Sequence, residues 1–304
     1  MFFVRTLCLL AVFQFCILAQ TGITVAGFGY RNPANTVTAA PGQVLTVSVY
    51  GVAARFASPV APVAGINGYP TQIQGVSVDF VQGSLTVHLP IWGIQQTACP
   101  ATGACSPATT FTFQIPYELD PASGDQAQLN VQENGATSAQ VVLNPVTDSV
   151  HVINTCDQTG IFLSIAVGLP DGSCVPIVMH PGGLVTPTSP AKPGETLVLW
   201  AYGLGAIDHP VPNPCCSSPD QLPLAAQPFN LSFSYLDAGA FPMRRLGVAT
   251  PSYTGMTGAG LYQVQFVVPA APASLSPCSG RSGNLTVQVS GPASADTATI
   301  CLQP

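Results

Sequence analysis

Lysine is almost missing from this chain. Lys192 is the only one, six arginines bring the basic residues to 7, and 13 acids leave a formal charge of −6 over 304 residues. Gripping a phosphate backbone takes clustered cations. The only adjacent basic pair, Arg244-Arg245, fits a solvated strand end, so no nucleic-acid partner is expected. Catalytic signatures are missing too: there is no GxSxG elbow, no HExxH, no GxxxxGK[ST] loop, no GxGxxG after a strand and no DxDxDG calcium loop. The acids come singly, and Asp125 in LDPASGD and Asp171 in LPDGS fit turns closed by their own side chains. A protein that is not an enzyme and carries no cofactor is the expectation.

Long apolar runs are confined to the N-terminus. MFFVRTLCLLAVFQFCILAQTG places one arginine before an apolar stretch from Leu7 to Ala19, with small Ala19 just ahead of Gln20. That is the layout of a secretory signal peptide, residues 1–19. The run falls short of the ~20 residues that span a bilayer. Later apolar runs are broken by Gly, Pro, Gln or Ser, so no transmembrane segment is expected after cleavage, and the mature chain is expected to be secreted or at the cell surface.

Proline and glycine are plentiful, at 30 and 29, scattered among runs rich in Val, Thr and Leu. Many short strands joined by turns, an all-β fold, follow from that. An internal repeat organises them. PGQVLTVSVYGV from Pro41 matches PGETLVLWAYGL from Pro193 at an offset of 152; FTFQIP ending at Pro116 matches VQFVVP ending at Pro269 at 153; LNVQ from Leu129 matches LTVQ from Leu285 at 156. Three blocks in order with small slippage predict a duplication. Pro-Gly launches each first strand, and alternation turns Leu45, Val47 and Val49, then Leu197, Leu199 and Ala201, toward a facing sheet. Trp200 is left on the opposite face, covering an interdomain or loop surface. Each copy fits an immunoglobulin-like antiparallel β-sandwich. The expected layout is a first sandwich over 20–145, a connector or hairpin over 146–185 and a second sandwich over 186–304.

SPAKPGETLVLWAYGLG from Ser189, GAGLYQVQFVVP from Gly258 and NLTVQVSG from Asn284 resemble the repeated extracellular C-terminal domain of Solibacter and other acidobacteria. APGQVLTVSVYG from Ala40 and FTFQIPYELDP from Phe111 resemble it more loosely. The resemblance implies a secreted or surface protein of tandem immunoglobulin-like domains and brings no catalytic residue with it. Loops at 95–108 and 211–227 carry cysteine pairs that the family pattern does not require.

Eight cysteines follow the signal, an even number that favours disulfides in an exported chain. Cys156 and Cys174 enclose 17 residues rich in turn formers, and closing that loop is worth about 3 kcal/mol in the chain-entropy account. The opposing reading joins them to His151 and His180 as four metal ligands. Ligand atoms would then have to lie within roughly 4 Å of one another, which needs two chain reversals in segments that otherwise look extended. The bridge is the preferred reading, with no metal. Cys99 pairs most simply with Cys105 and Cys278 with Cys301, while Cys215 and Cys216 form a vicinal bridge or pair elsewhere. Three aromatics in turn-rich settings, Trp92, Tyr69 and Tyr253, are candidates for ligand contact, set against capping of the sandwich ends. The expected role is adhesion, surface structure or extracellular assembly, with an extracellular protein or a polysaccharide as partner. A carbohydrate-binding module is the alternative and an extracellular hydrolase the third reading, because a Ser-His-Asp set drawn from distant positions leaves no sequence signature.

Overall fold

A computed structural model describes residues 24–25, 37–50, 52–60, 69–97, 107–155, 175–209, 223–237, 240–258, 260–278 and 283–303. Cys99, Cys105, Cys156, Cys174, Cys215 and Cys216 lie outside them. Strands are the only regular elements among the described residues, with no helix.

The first half is two sheets over one core. β1 (Thr24–Val25), β3 (Val44–Tyr50), β8 (Ala108–Gln114) and β7 (Ile91–Gln96) hydrogen-bond in the order β1-β3-β8-β7. The other sheet runs β2 (Val37–Ala39), β10 (Ala136–Pro145), β9 (Ala127–Glu133), β5 (Val76–Gln82) and β4 (Gln72–Ile73), with β6 (Leu85–His88) also on β5. Period-two alternation buries one face of each strand. Leu45, Val47 and Val49 of β3 and Phe111 and Phe113 of β8 meet Val78 and Phe80 of β5 and Leu129 and Val131 of β9 in a single cluster. Each such side chain contributes about 1.5–3 kcal/mol on burial. On its other face β3 shows hydroxyls, Thr46 to Thr112 at 3.1 Å and Ser48 to Thr110 at 2.7 Å.

The second half also has two sheets and its own buried cluster. β14 (Thr196–Tyr202), β18 (Leu261–Val267) and β17 (Tyr253–Gly258) form one sheet, and β16 (Ala240–Ala249), β15 (Asn230–Asp237), β19 (Leu285–Ser290) and β20 (Ala295–Ile300) the other. The matched sequence blocks occupy matched pairings. Leu45 stands opposite Phe113, and Leu197 opposite Phe266; the steps from the first pair to the second are 152 and 153 residues. Even the rare parallel contact recurs, Ala39 with Pro145 and Ala191 with Leu302. Arg244 and Arg245 are exposed on β16, and Arg244 reaches Asp237 at 2.8 Å.

Residues 146–155 and 175–185, read from the sequence as part of a connector, are built into this second half. β11 (His151–Val152) and β12 (Val178–His180) both pair with β14, and β13 (Gly183–Leu184) pairs with β12. Asp148, 1% exposed, fastens the stretch before β11. It accepts hydrogen bonds from the N–H groups of Ala293 at 2.8 Å and Ser294 at 2.9 Å and from the hydroxyls of Thr147 and Ser294. At the C-terminal end a disulfide joins Cys278 to Cys301 with Cα atoms 5.6 Å apart, and buried Asn284 donates to the carbonyls of Ser276 and Leu302.

Candidate functional site at the seam between the halves

Once the cores are filled, several large apolar side chains remain, and they meet between the halves. Val44 and Trp92 from the first half join Tyr202 and Leu261 from the second, with Ile153 and Ile177 completing a third buried cluster. Val44 gets there by alternation: it sits at the start of β3 on the face opposite Leu45. Tyr69, Met179, Leu184 and Trp200 pack around the rim.

Tyr117 reinforces the join. It follows Pro116, where the chain leaves β8, and packs against the second half's core. Its hydroxyl donates to the Met256 sulfur at 2.7 Å and accepts from Gln114 Nε2 at 3.0 Å. Burial pushes this phenol up to about 12, against the opposing pull of hydrogen bonding with Tyr262, Gly260 and Gln114. Tyr262, whose hydroxyl donates to the Gly205 carbonyl at 2.9 Å, is likewise raised, by burial and by its tyrosine neighbour.

Two glycines allow the approach. Gly260 has φ +69°, and a Cβ there would lie 2.7 Å from Val44 Cγ2 and 2.8 Å from the Gly42 carbonyl oxygen. Gly42 also has φ +69°, and a Cβ on it would run into the Tyr117 ring. Both need a left-handed backbone and the space a missing side chain leaves.

The candidate ligand-contact residues separate here. Trp92 is 0% exposed, and its ring lies 5.3 Å from that of Tyr69 at 31°. It is therefore part of the seam and offers no surface on which a ligand can stack. Tyr69 is half-buried against it. Tyr253, half-buried on β17, stands elsewhere, with its phenol raised by burial and by the Asp208 charge. Trp200 lies half-buried on the seam, as its register opposite Leu199 and Ala201 dictates, and its indole N–H is buried without a hydrogen-bond partner.

The candidate metal ligands are also divided. His151 Nδ1 lies 3.3 Å from Asp296 Oδ2, an oxygen that also accepts from the Val152 N–H at 2.8 Å. Burial raises the Asp296 carboxyl, but the His151, Val152 and Thr297 hydrogen bonds outweigh it and hold the group below the usual carboxylate range. His180 has Nδ1 at 2.9 Å from Glu195 Oε1 and Nε2 at 3.0 Å from Ser189 Oγ, so both ring nitrogens already face partners within the chain. Glu195 is held below its usual range: burial pushes it up, and bonds from the Lys192 N–H and His180 more than compensate. No group of three or more His, Cys, Asp and Glu suited to a metal occurs among the described residues.

Tyr117, Asp148 and Gly260 have no motif to announce them. The only sequence signal near Ser189 and Glu195 is the density of turn-forming prolines at Pro181, Pro187, Pro190 and Pro193.

No family model matches the chain. No curated protein matches it either. Among solved structures, the AgI/II polypeptide BspA C-terminal domain of Streptococcus agalactiae is similar over 93% of this chain and 99% of its own, at 10% sequence identity and a TM-score of 0.23. A score that low does not superpose the two folds, and the functional reading rests on this chain's own residues.

Proposed function

We propose that this is an exported surface or extracellular assembly protein in which two immunoglobulin-like sandwiches, copies of one duplicated unit, act as a single stiff body. The seam carries the reading. Each half already has its own core, so the aromatic and aliphatic side chains gathered between them serve to remove a hinge. Interdomain surfaces within a chain otherwise favour relative motion. A body without a hinge holds its loops at a fixed separation from its point of attachment, which suits adhesion and assembly.

Several features support the proposal. The leader-like N-terminus, the even cysteine count and the 278–301 bridge fit an oxidising compartment. The near-absence of lysine fits a partner other than a polyanion. Equal registers in the matched strands favour duplication, and the acidobacterial resemblance of residues 189–205 belongs to the same reading. An extracellular protein is the favoured partner, since burial of Trp92 withdraws the flat ring on which a sugar reading leaned.

The test is protease shaving of intact cells expressing the full chain, followed by binding of the released protein to envelope proteins and to purified polysaccharides. Surface exposure with saturable protein binding is the expected result. Retention inside the cell with the leader uncut would overturn the export, and saturable binding to polysaccharide alone would overturn the choice of partner.

A further inference from the structure

We infer that Ser189, His180 and Glu195 form a nucleophile relay able to take an acyl group from a short-chain carboxylic ester. This activity goes beyond the surface role and departs from the non-catalytic expectation.

The three residues arrive from three backbone features, each pinned by its own hydrogen bonds. His180 ends β12. Ser189 closes a two-residue hairpin with Thr186, their N–H and carbonyl groups exchanging bonds of 3.0 and 3.1 Å. Glu195 sits in the turn before β14, held by its N–H to the Lys192 carbonyl at 3.1 Å and by its carbonyl to the Val268 N–H at 2.8 Å.

Side-chain order matters more than proximity. Glu195 uses one oxygen for His180 Nδ1 at 2.9 Å and the other for the Lys192 N–H at 2.9 Å, so the carboxylate cannot rotate without losing both. An ionised carboxylate only accepts, which assigns the imidazole proton to Nδ1. Nε2 is then left with its lone pair toward Ser189 Oγ, 3.0 Å away. Hydroxyl, base and orienting acid in that sequence are what an activated serine requires, recognised by geometry and roles rather than by motif.

The relay is sheltered yet open on one side. The His180 and Glu195 side chains are 13% and 21% exposed, enough shelter to fix their orientation. Pro181, Gly182, Pro187 and Thr188 beside them are exposed. Gly182 lies beside the imidazole edge, where a Cβ would sit 3.8 Å from both Cε1 and Nε2, at ordinary contact distance. No cationic side chain other than Lys192 belongs to these turns, which favours an uncharged ester.

In the reaction Ser189 Oγ bonds to the ester carbonyl carbon while its proton passes to His180 Nε2. The bond from that carbon to the alcohol oxygen breaks, and the departing alkoxide takes the proton from Nε2. Water then adds to the acyl-serine, giving one proton to Nε2. The bond to Oγ breaks and Ser189 recovers that proton. Ester and water become acid and alcohol, with nothing oxidised or reduced.

The experiment treats the purified full-length protein with a fluorophosphonate and, separately, with p-nitrophenyl acetate, and locates any adduct by peptide mass spectrometry. A single phosphonylated serine, Ser189, is expected, with labelling abolished in Ser189→Ala and slowed at least about 100-fold in His180→Gln. Glu195→Gln should shift the pH profile of labelling, a change that a purely structural role would not produce. Thermal melting shows which variants fold; Ser189→Ala, a half-buried turn position, keeps the question answerable if His180→Gln does not. No adduct on the folded wild type, or an adduct on another serine with Ser189 untouched, overturns the relay, as does equal labelling of wild type and folded His180→Gln.

Discussion

Gly260 shows how one residue controls the seam. Replacing it with alanine sets a Cβ against the Gly42 carbonyl and the Val44 side chain at a left-handed φ, so contact and backbone strain act together. Gly260→Ala is expected to destabilise the protein by about 1–3 kcal/mol. Gly124, also left-handed but with nothing near its missing Cβ, separates the two effects. Gly124→Ala should show only the smaller strain cost when both are followed by urea unfolding.

Titration is also legible residue by residue. Asp296 has a depressed carboxyl in the folded state, so its stabilisation is present above the unfolded value of about 4 and is lost as pH falls through the lower folded value. Asp296→Asn should flatten the loss of melting temperature below about pH 4. Tyr117 runs the other way. Raised to about 12, it leaves stability intact below the ordinary value near 10 and drains it between there and 12. Tyr117→Phe should weaken that alkaline loss while leaving the share that Tyr262 contributes. Scans of melting temperature against pH check both.

At the scale of elements, alternation accounted for most of what was legible. Leu45, Val47 and Val49 and their partners Leu197, Leu199 and Ala201 face their cores because a strand has a period of two, and no tertiary information is needed to see it. The segment 146–185 was harder. HVIN and VPIVMH are too short for periodicity to say which strand they join, and pairing with β14 is a long-range choice. That choice bears on the cysteines. The Thr155 N–H donates to the Val175 carbonyl at 2.8 Å, and the Ile177 N–H to the Ile153 carbonyl at 2.7 Å. In the sequence Cys156 follows Thr155 and Cys174 precedes Val175, so non-reducing peptide mapping is expected to return the two cysteines as one linked pair. Cys301→Ser should cost about 3 kcal/mol, the usual value for a loop of this size, and should loosen β20 before the rest in hydrogen exchange.

For the whole molecule, coupling of the halves is the property to measure. Trp92→Ala empties the largest fully buried side chain of the seam and should cost about 3–5 kcal/mol. Because each half keeps its own core, the expected calorimetric signature is a single transition in the wild type that splits into two in the variant. A single transition retained at lower temperature would mean that the halves are held by other contacts. Trp92 also shows where sequence reading ran out. HLPIWGIQQ is turn-rich and places a tryptophan where a binding loop would have one, yet the opposing wall includes Tyr202 and Leu261, each more than a hundred positions away.

The all-β class and the inward face of each principal strand were determined by the sequence alone. They depend on interactions between residues a few positions apart, where alternation, proline and glycine act directly. The tertiary structure decided which surplus apolar residues meet. Val44 and Trp92 reach Tyr202 and Leu261 only because two separate sheets come to rest against each other. It also decided that Ser189, His180 and Glu195 share one line of hydrogen bonds. Each of the three is ordinary in its own setting; the relay arises from two turns placed beside the end of β12, and no local pattern in the chain encodes that distance.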